Sequence, residues 1–416
     1  MVKQRDAGPG PLAGVRVVEL ATVVMAPMAA QILGDMGADV IKVEGEKLDS
    51  GRVLGGSMDE DLSGVALNLQ RNKRSIRLDL KQDAGREVLL RLLDTADVFI
   101  TNMRPAALAR LCLDHESVTA TRPQLIYCEA HGFRNGSADA ERPAFDDIIQ
   151  AETGMPRMGE KANMDVRFIP AVMADKLSGL YVAQAVLGAL VHHRATGRGQ
   201  RVEVAMFDAV LNFNLVEHLA AATKPGGETG YSRILSKHRG PHRTKDGFIA
   251  VMPYSDRDWK ALYEAVGRGH ELDEEWFTSH RLRLENPDRV YGSLATVMAQ
   301  RTTQEWIELC LEIGVPVAPV PSLDEIVEDP SLHRGVIEMR EHPVVGPYRS
   351  IVPPIRFEAS PMSVRRAAPL VGEHTLELLT ESGFADEEIE RLIGSGAAVQ
   401  SSRRPGGVDS TDVAGP

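Results

Sequence analysis

The sequence predicts an α/β protein with a large domain built on a parallel sheet and a smaller α/β lobe after it. Strand-like alternation and helix-like periodicity take turns along the first half of the chain, at the spacing of β-α-β units. The character changes after residue 246, where one strand leads into several helices. The length of 416 residues exceeds the roughly 100–200 residues of an ordinary domain, so two lobes are expected.

The first strand is Val15-Arg16-Val17-Val18-Glu19-Leu20. A helix over 27–36 follows, with Pro27 suited to a first turn and Gly34 and Gly37 to an end. Residues 39–44 read as the next strand, 45–70 as irregular, and 75–80 as a third strand with strict alternation. Residues 83–93 form an amphipathic helix, and 97–101 and 124–128 are further strands. A long helix spans about 176–194. Leu177, Leu180, Tyr181, Gln184, Leu187 and Val191 recur at helical spacing and are expected to be its buried stripe. Thr196-Gly197-Arg198-Gly199-Gln200 ends it, 201–206 is a strand, and a helix begins at Asp208. Residues 222–246, rich in Gly, Pro, Lys and Arg, read as a linker or loop. The smaller lobe has a strand at 248–252 and helices near 255–266, 287–300 and 303–313. Extended Pro-rich pieces and a last helical region near 372–395 follow. The tail from about residue 399 has the composition of disorder.

Composition narrows the function. The net charge of −12 repels nucleic acid and anionic membranes, so neither is an expected partner. No apolar run approaches the roughly 18 residues of a transmembrane helix. The N-terminus lacks the apolar stretch of a secretory signal. Three scattered cysteines make neither a CxxC pair nor a metal spacing. Cytoplasmic residence and no metal site are expected. The first strand is followed by Ala21-Thr22-Val23-Val24-Met25-Ala26-Pro27 rather than a Gly-rich fingerprint, and no Walker A motif or GxSxG elbow occurs. NAD oxidoreductase, ATPase and hydrolase-fold thioesterase readings are therefore disfavoured. His192, His193, His238 and His242 are expected to be structural or solvated.

Asp175 stands between the apolar approach 168–174 and the long helix. An Asp there is ordinarily a helix cap. The same place keeps a carboxylate ionised through the helix dipole and free N–H groups, and such a carboxylate can attack a thioester carbonyl. Arg71, Lys73, Arg74, Arg77, Lys81, Arg104 and Arg110 cluster near strand ends, where open α/β sheets bind ligands; a solvated charged edge would read the same way.

Several segments together resemble the family III CoA-transferases, the superfamily of formyl-CoA transferase, carnitine CoA-transferases and α-methylacyl-CoA racemase. They are GPLAGVRVVEL (10–20), GDMGADVIKVE (34–44), NKRSIRLDLK (72–81), ADVFITNMRPAALARL (96–111), the surroundings of Asp175, TGRGQRVEVAMFDAVL (196–211), KDGFIAVMPYSDRDW (245–259) and PLVGEHT (369–375). No one segment is diagnostic; their order is. The resemblance implies a Rossmann-like large domain over 11–222, a small domain with linkers over 223–330, a segment 331–397 returning to the large domain, and a disordered tail over 398–416. It implies two subunits threaded as an interlocked homodimer. It makes Asp175 the covalent nucleophile, acylated to a mixed anhydride and converted to an aspartyl-CoA thioester. Coenzyme A, carried as acyl-CoA, would meet Val24, Met25, Leu78, Lys81, Asn102, Met103, Arg104, Arg110 and Phe145. Leu78 would offer an apolar surface to adenine, and Lys81 and Arg110 would neutralise phosphates.

There are departures from the family pattern. Gly45 replaces a CoA-binding arginine and Pro143 another basic contact, with Arg142 adjacent. Phe145 stands where the racemase branch needs a proton-carrying His, which argues against α-proton exchange. Val24 stands where formyl-CoA transferase has Gln, and residues 226–244 are short and basic where that enzyme has a glycine-rich lid. Arg233, Lys237, His238, Arg239 or Arg243 is a candidate partner for the free carboxylate of a larger acid. An acyl-CoA racemase or epimerase of the same fold, and a CoA-binding paralogue without turnover, are the rival readings.

Overall fold

The computed structural model describes residues 10–162 and 164–403. The first-residue stretch and most of the tail lie outside the described residues. The chain forms two compact units. One holds residues up to Ile149, then Ala171–Val210, and the described residues from His333 onward; the other holds Gln150–Pro170 and Leu211–Leu332.

The first unit is organised on a seven-stranded sheet. Its strands are β1 (Arg16–Leu20), β2 (Asp39–Glu44), β3 (Lys73–Leu78), β4 (Val98–Thr101), β5 (Ile126–His131), β6 (Arg201–Ala205) and β7 (Ala398–Val399). Their spatial order is β7-β3-β2-β1-β4-β5-β6, parallel except for β7, which runs antiparallel to β3. The order reverses at β1, whose neighbours are β2 and β4. Such a reversal opens a crevice at the carboxyl ends of the strands. Strands β1 to β5 are buried nearly throughout, as parallel strands covered by helices on both faces must be.

Four helices bear on the site: α1 (Met25–Asp35), α2 (Asp83–Leu93), α3 (Asp146–Glu152) and α4 (Met173–Thr196). Helix α1 starts two residues before the sequence pattern suggests, so Pro27 sits in its first turn, where a missing N–H is harmless. Helix α4 corrects the expected stripe. Leu180 is 52% exposed and Val191 70% exposed. The buried face is Ala174, Ser178, Gly179, Val182, Ala183, Val186, Ala189 and Leu190. Small side chains let α4 lie close to α1. A Cβ added at Gly179 would stand 2.7 Å from the Met25 carbonyl oxygen, so only glycine permits this approach. Leu180 and Val191 lie on the opposite, exposed face. Helix α4 ends at Gly197 in the left-handed conformation, with the Gly197 N–H donating to the His193 carbonyl.

The chain's return to this unit is sealed by packing and charge. Leu378, Leu379, Phe384, Ile389, Leu392, Ala397 and Ala398 join the core formed by Val18, Ile41, Ile76, Val88, Leu89, Phe99 and Tyr127. Arg52, fully buried, forms a two-pronged pair with Glu44 (both bonds 2.7 Å) and donates to the Pro369 carbonyl at 2.9 Å. Residues 337–342 and 346–351 form an antiparallel hairpin that the sequence pattern did not mark.

The second unit has a three-stranded antiparallel sheet (Val317–Pro319, Phe248–Val251, His242–Arg243) and a core of Ile249, Trp259, Leu262, Tyr263, Phe277, Leu294, Trp306 and Cys310. The thiols divide between the units. Cys128, on β5, is buried and burial pushes it up to about 12; Cys310 is buried in the second unit and pushed up to about 11, while Cys112 is exposed. Among the described residues no helix is long and apolar enough to cross a membrane, and no cluster of potential metal ligands occurs.

Candidate active site

The crevice where the strand order reverses is lined by the turns after β1 and β4. The turn after β1 is tightly held. The Lys42 ammonium donates to the Ala21 carbonyl at 2.8 Å. The Asn102 amide bonds Thr22 twice, accepting from its N–H (3.1 Å) and donating to its carbonyl (2.8 Å). The Val23 N–H donates to Asp49 Oδ1 at 2.8 Å. Val23 has φ +68°, a left-handed conformation that costs a β-branched residue on the order of 1–3 kcal/mol. Helix α1 begins directly afterwards with no side-chain cap.

Asp175 lies in the first turn of α4, three residues after Val172, rather than at the cap. The capping function is supplied from outside. Asp146, at the start of α3, accepts a 3.0 Å hydrogen bond from the Asp175 N–H. A second carboxylate thus stands beside Asp175. Burial, reinforced by the Asp146 charge, raises the Asp175 carboxyl to about 7. The helix dipole does not keep it in the ordinary carboxylate range, as sequence reasoning supposes, because the dipole meets desolvation and a like charge together.

A cavity of about 220 Å³ contains Asp175, lined also by Thr22, Val23, Met25, Asn102, Arg104, His131, Arg142 and Phe145. His131 is held on both ring nitrogens, by the Met103 carbonyl (3.0 Å) and Asn135 Oδ1 (3.1 Å). Arg142 bonds Asp139 at 2.9 Å, and its guanidinium lies 4.8 Å from the Phe133 ring centroid. A second cavity of about 430 Å³ opens from the same Thr22 and Asn102 along the ends of β2 and β3, with Lys42, Gly45, Lys47, Leu78, Leu80, Lys81, Met103 and Leu111 on its walls. A third, of about 370 Å³, again shares Thr22 and Asn102 and reaches Arg104 and Arg110.

The residues expected at the site are therefore placed as follows. Asp175, Met25, Asn102, Arg104 and Phe145 share the first cavity. Leu78, Lys81 and Met103 lie on the second and Arg110 on the third. Val24 is buried and precedes α1 without lining these cavities. Leu78 is only 1% exposed and belongs to the core, so Leu80 and Leu111, both half-buried, carry much of the apolar wall. The basic cluster splits. Arg71 pairs with Asp35 at 2.7 Å, Arg74 with Asp39 at 2.7 Å, and Lys73 with Glu19 at 2.8 Å, and all three cations are buried. Those three are structural, and Arg77 donates to the Glu46 carbonyl at 3.3 Å and lines none of the three cavities, so Lys81, Arg104 and Arg110 are the members that do. Arg233, Lys237, His238, Arg239 and Arg243 belong to the second unit, where Arg233 donates to the Tyr291 hydroxyl at 2.9 Å. Sequence reasoning missed His131, Asp146 and Asp49. Asp146-Asp147 was visible as a pair of acids but carried no spacing to Asp175, and Asp49 sits in a stretch without periodicity.

The arrangement offers a buried carboxylate of raised basicity beside an apolar groove with cations at its rim, which could take a thioester on a long phosphorylated arm. The family model described as CoA-transferase family III matches residues 12–375. The chain is 33% identical over 401 residues to a succinate–glutarate CoA-transferase of Agrobacterium fabrum, covering 92% of this chain and 97% of that one. It is 30% identical over 418 residues to a formyl-CoA:oxalate CoA-transferase of Rhodopseudomonas palustris, covering 93% and 97%. Its fold matches the crystal structure of a CAIB/BAIF family protein from Brucella suis with a TM-score of 0.76 at 29% identity, covering 90% and 100%. A match that runs from the first strand to the returning C-terminal segment establishes that the chain belongs to CoA-transferase family III and is a transferase enzyme.

Proposed function

We propose that the enzyme moves coenzyme A from an acyl-CoA donor to a carboxylic acid through covalent acylation of Asp175. The observation that carries this reading is a buried carboxylate, raised to about 7, at the reversal point of a parallel sheet and in one cavity with Arg104 and Arg142. An Asp175 oxygen attacks the donor thioester carbonyl, the C–S bond breaks, and CoA leaves as thiolate. The resulting mixed anhydride is attacked at the Asp175 carbonyl by that thiolate, which releases the donor acid and forms an aspartyl-CoA thioester. The acceptor carboxylate attacks this thioester and expels the thiolate again. The thiolate then attacks the acceptor acyl carbon, which gives the new acyl-CoA and frees Asp175. Raised basicity makes Asp175 a better nucleophile once ionised, and burial removes competing water.

The groove over β2 and β3 takes the adenosine and pantetheine portions, with Lys81 and Arg110 toward phosphates. Arg104 and Arg142 suit the distal carboxylate of a dicarboxylic acid, in keeping with the succinate–glutarate relative. The large domain is Rossmann-like in the strand order 3-2-1-4-5-6. The subunits form an interlocked homodimer that works in the cytoplasm. A racemase reading would need a second proton carrier in the cavity besides Asp175; Phe145 carries no proton, and both nitrogens of His131 are engaged.

In the test, succinyl-CoA is incubated with glutarate, and formation of glutaryl-CoA and succinate is followed by mass spectrometry. Asp175→Ala and Asp175→Asn are expected to fold and to lose turnover by several orders of magnitude. Hydroxylamine is expected to trap a hydroxamate on the wild-type peptide containing Asp175. Near-wild-type transfer by Asp175→Ala would falsify the assignment.

A further inference from the structure

The turn after β1 is gripped by residues that do not themselves face the nucleophile. Asp49 is the centre of that grip. Its Oδ1 accepts from both the Val23 N–H (2.8 Å) and the Gly51 N–H (2.9 Å), and its side chain is 3% exposed. Its other oxygen meets the Lys42 ammonium at 3.1 Å. Lys42 also holds Glu19 (3.1 Å) and the Ala21 carbonyl, and Glu19 holds Lys73 (2.8 Å), whose ammonium donates to the Pro27 carbonyl at 2.9 Å. The buried chain of charges therefore touches the backbone at Ala21, Val23 and Pro27, before, within and after the turn. Gly51 closes the last gap, since a Cβ there would lie 2.4 Å from the Val23 carbonyl oxygen. A β-branched residue at φ +68° stays in place only when its surroundings over-determine it. Thr22, Val23 and Met25 are walls of the Asp175 cavity.

We infer that Asp49 is a positioning residue for catalysis: through its hydrogen bond to Val23 it holds the strained turn that sets Thr22, Val23 and the first turn of α1 against Asp175. The inference rests on the site assigned above, but the clamp itself is measurable without turnover. Amide hydrogen exchange is followed by mass spectrometry on peptides spanning residues 20–30, in full-length wild type, Asp49→Ala and Asp49→Asn. Steady-state kinetics with succinyl-CoA and glutarate accompany it.

Asp49→Ala is expected to accelerate exchange in that peptide by about tenfold or more while the β4 and β5 peptides stay protected. Its kcat is expected to fall on the order of tenfold to a hundredfold, with a smaller change in KM because Asp49 also borders the groove over β2 and β3. Asp49→Asn keeps an acceptor oxygen for Val23 and Gly51 and is expected to recover part of the loss. Val23→Gly relieves the strained φ, so Val23→Gly/Asp49→Ala is expected to outperform Asp49→Ala alone. A merely structural role would predict a general loss of stability that glycine does not repair. Unchanged exchange with unchanged kcat in Asp49→Ala overturns the inference, as does a double variant no better than the single one. If Asp49→Ala does not fold, Asp49→Asn decides: exchange and kcat that stay near wild type together, or loosen and fall together, uphold the coupling of the turn to catalysis, whereas faster exchange over residues 20–30 with unchanged kcat overturns it. If the wild type transfers no CoA between these acids, the substrate reading fails, while the exchange comparison still judges the clamp.

Discussion

At the scale of single residues, the site is defined by a carboxyl kept partly protonated near neutrality. Asp175 rises to about 7 through burial first and the Asp146 charge second. In the proposed role of nucleophile it must be ionised, so log(kcat/KM) is expected to fall with a slope of about one per pH unit below pH 7. Asp146→Asn removes the like charge and is expected to shift that acid limb to lower pH, which a pH–rate profile reads directly. The stability consequence has the opposite sense from an ordinary ion-paired Asp. The folded group holds its proton up to about 7, whereas the unfolded one releases it near the ordinary value of 3.8. Stability is therefore lost as pH rises between those values, and the penalty is complete above the upper one. Asp175→Asn is expected to raise Tm more at about pH 8 than at about pH 4; an equal gain at both would contradict the linkage. Asp175 stood out in the sequence because an apolar approach meets a long helix there. Its neighbour Asp146 did not, since a contact across 29 positions leaves no local pattern.

At the scale of elements, the strands of the large unit were legible because parallel strands buried on both sides give short apolar runs. Strand β3 lies two residues earlier than its alternation suggests, since Lys73 and Arg74 are buried by pairing with Glu19 and Asp39 and so count as interior despite their charge. Helix α4 misled for the reverse reason. Hydrophobic periodicity locates large side chains, but the buried face of this helix mixes Ala, Ser and Gly with Val182, Val186 and Leu190, and Gly179 sets its approach to α1. Gly179→Ala tests that contact. The new methyl would meet the Met25 carbonyl and is expected to cost about 1–3 kcal/mol in a denaturant melt and to lower kcat, because the first turn of α1 must move away from Asp175. A variant as stable and active as wild type would show that the helices have slack there.

At the scale of the whole molecule, the large unit is assembled from distant stretches of chain. The last strand, β7, pairs with β3, and the helices Thr375–Glu381 and Asp386–Gly394 supply core residues that strands and helices from the first third of the chain pack against. A chain ending after Pro369 is expected to lack a cooperative thermal transition by circular dichroism. A melt within a few degrees of the full-length protein would argue that the returning segment is dispensable. This return was not readable from local pattern, because sequence periodicity carries no information about which early strand a late one pairs with; it entered only through resemblance. The apolar faces left outside, Leu180 and Val191 on α4 among them, are the physical ground for expecting a partner subunit. Sedimentation at micromolar concentration is expected to give a dimer, and a stable monomer would remove that expectation.

The distribution of the thiols gives the protein a built-in pair of unfolding reporters. Cys128 sits in the parallel sheet of one unit and Cys310 in the core of the other, both shielded and both pushed well above neutrality, whereas Cys112 is open to solvent. A maleimide added under native conditions tags the exposed site at once. Each of the other two then becomes reactive only when its own surroundings open. The labelling rates of two peptides thus report separately on the opening of the unit built on the seven-stranded sheet and of its companion, with no engineered probe.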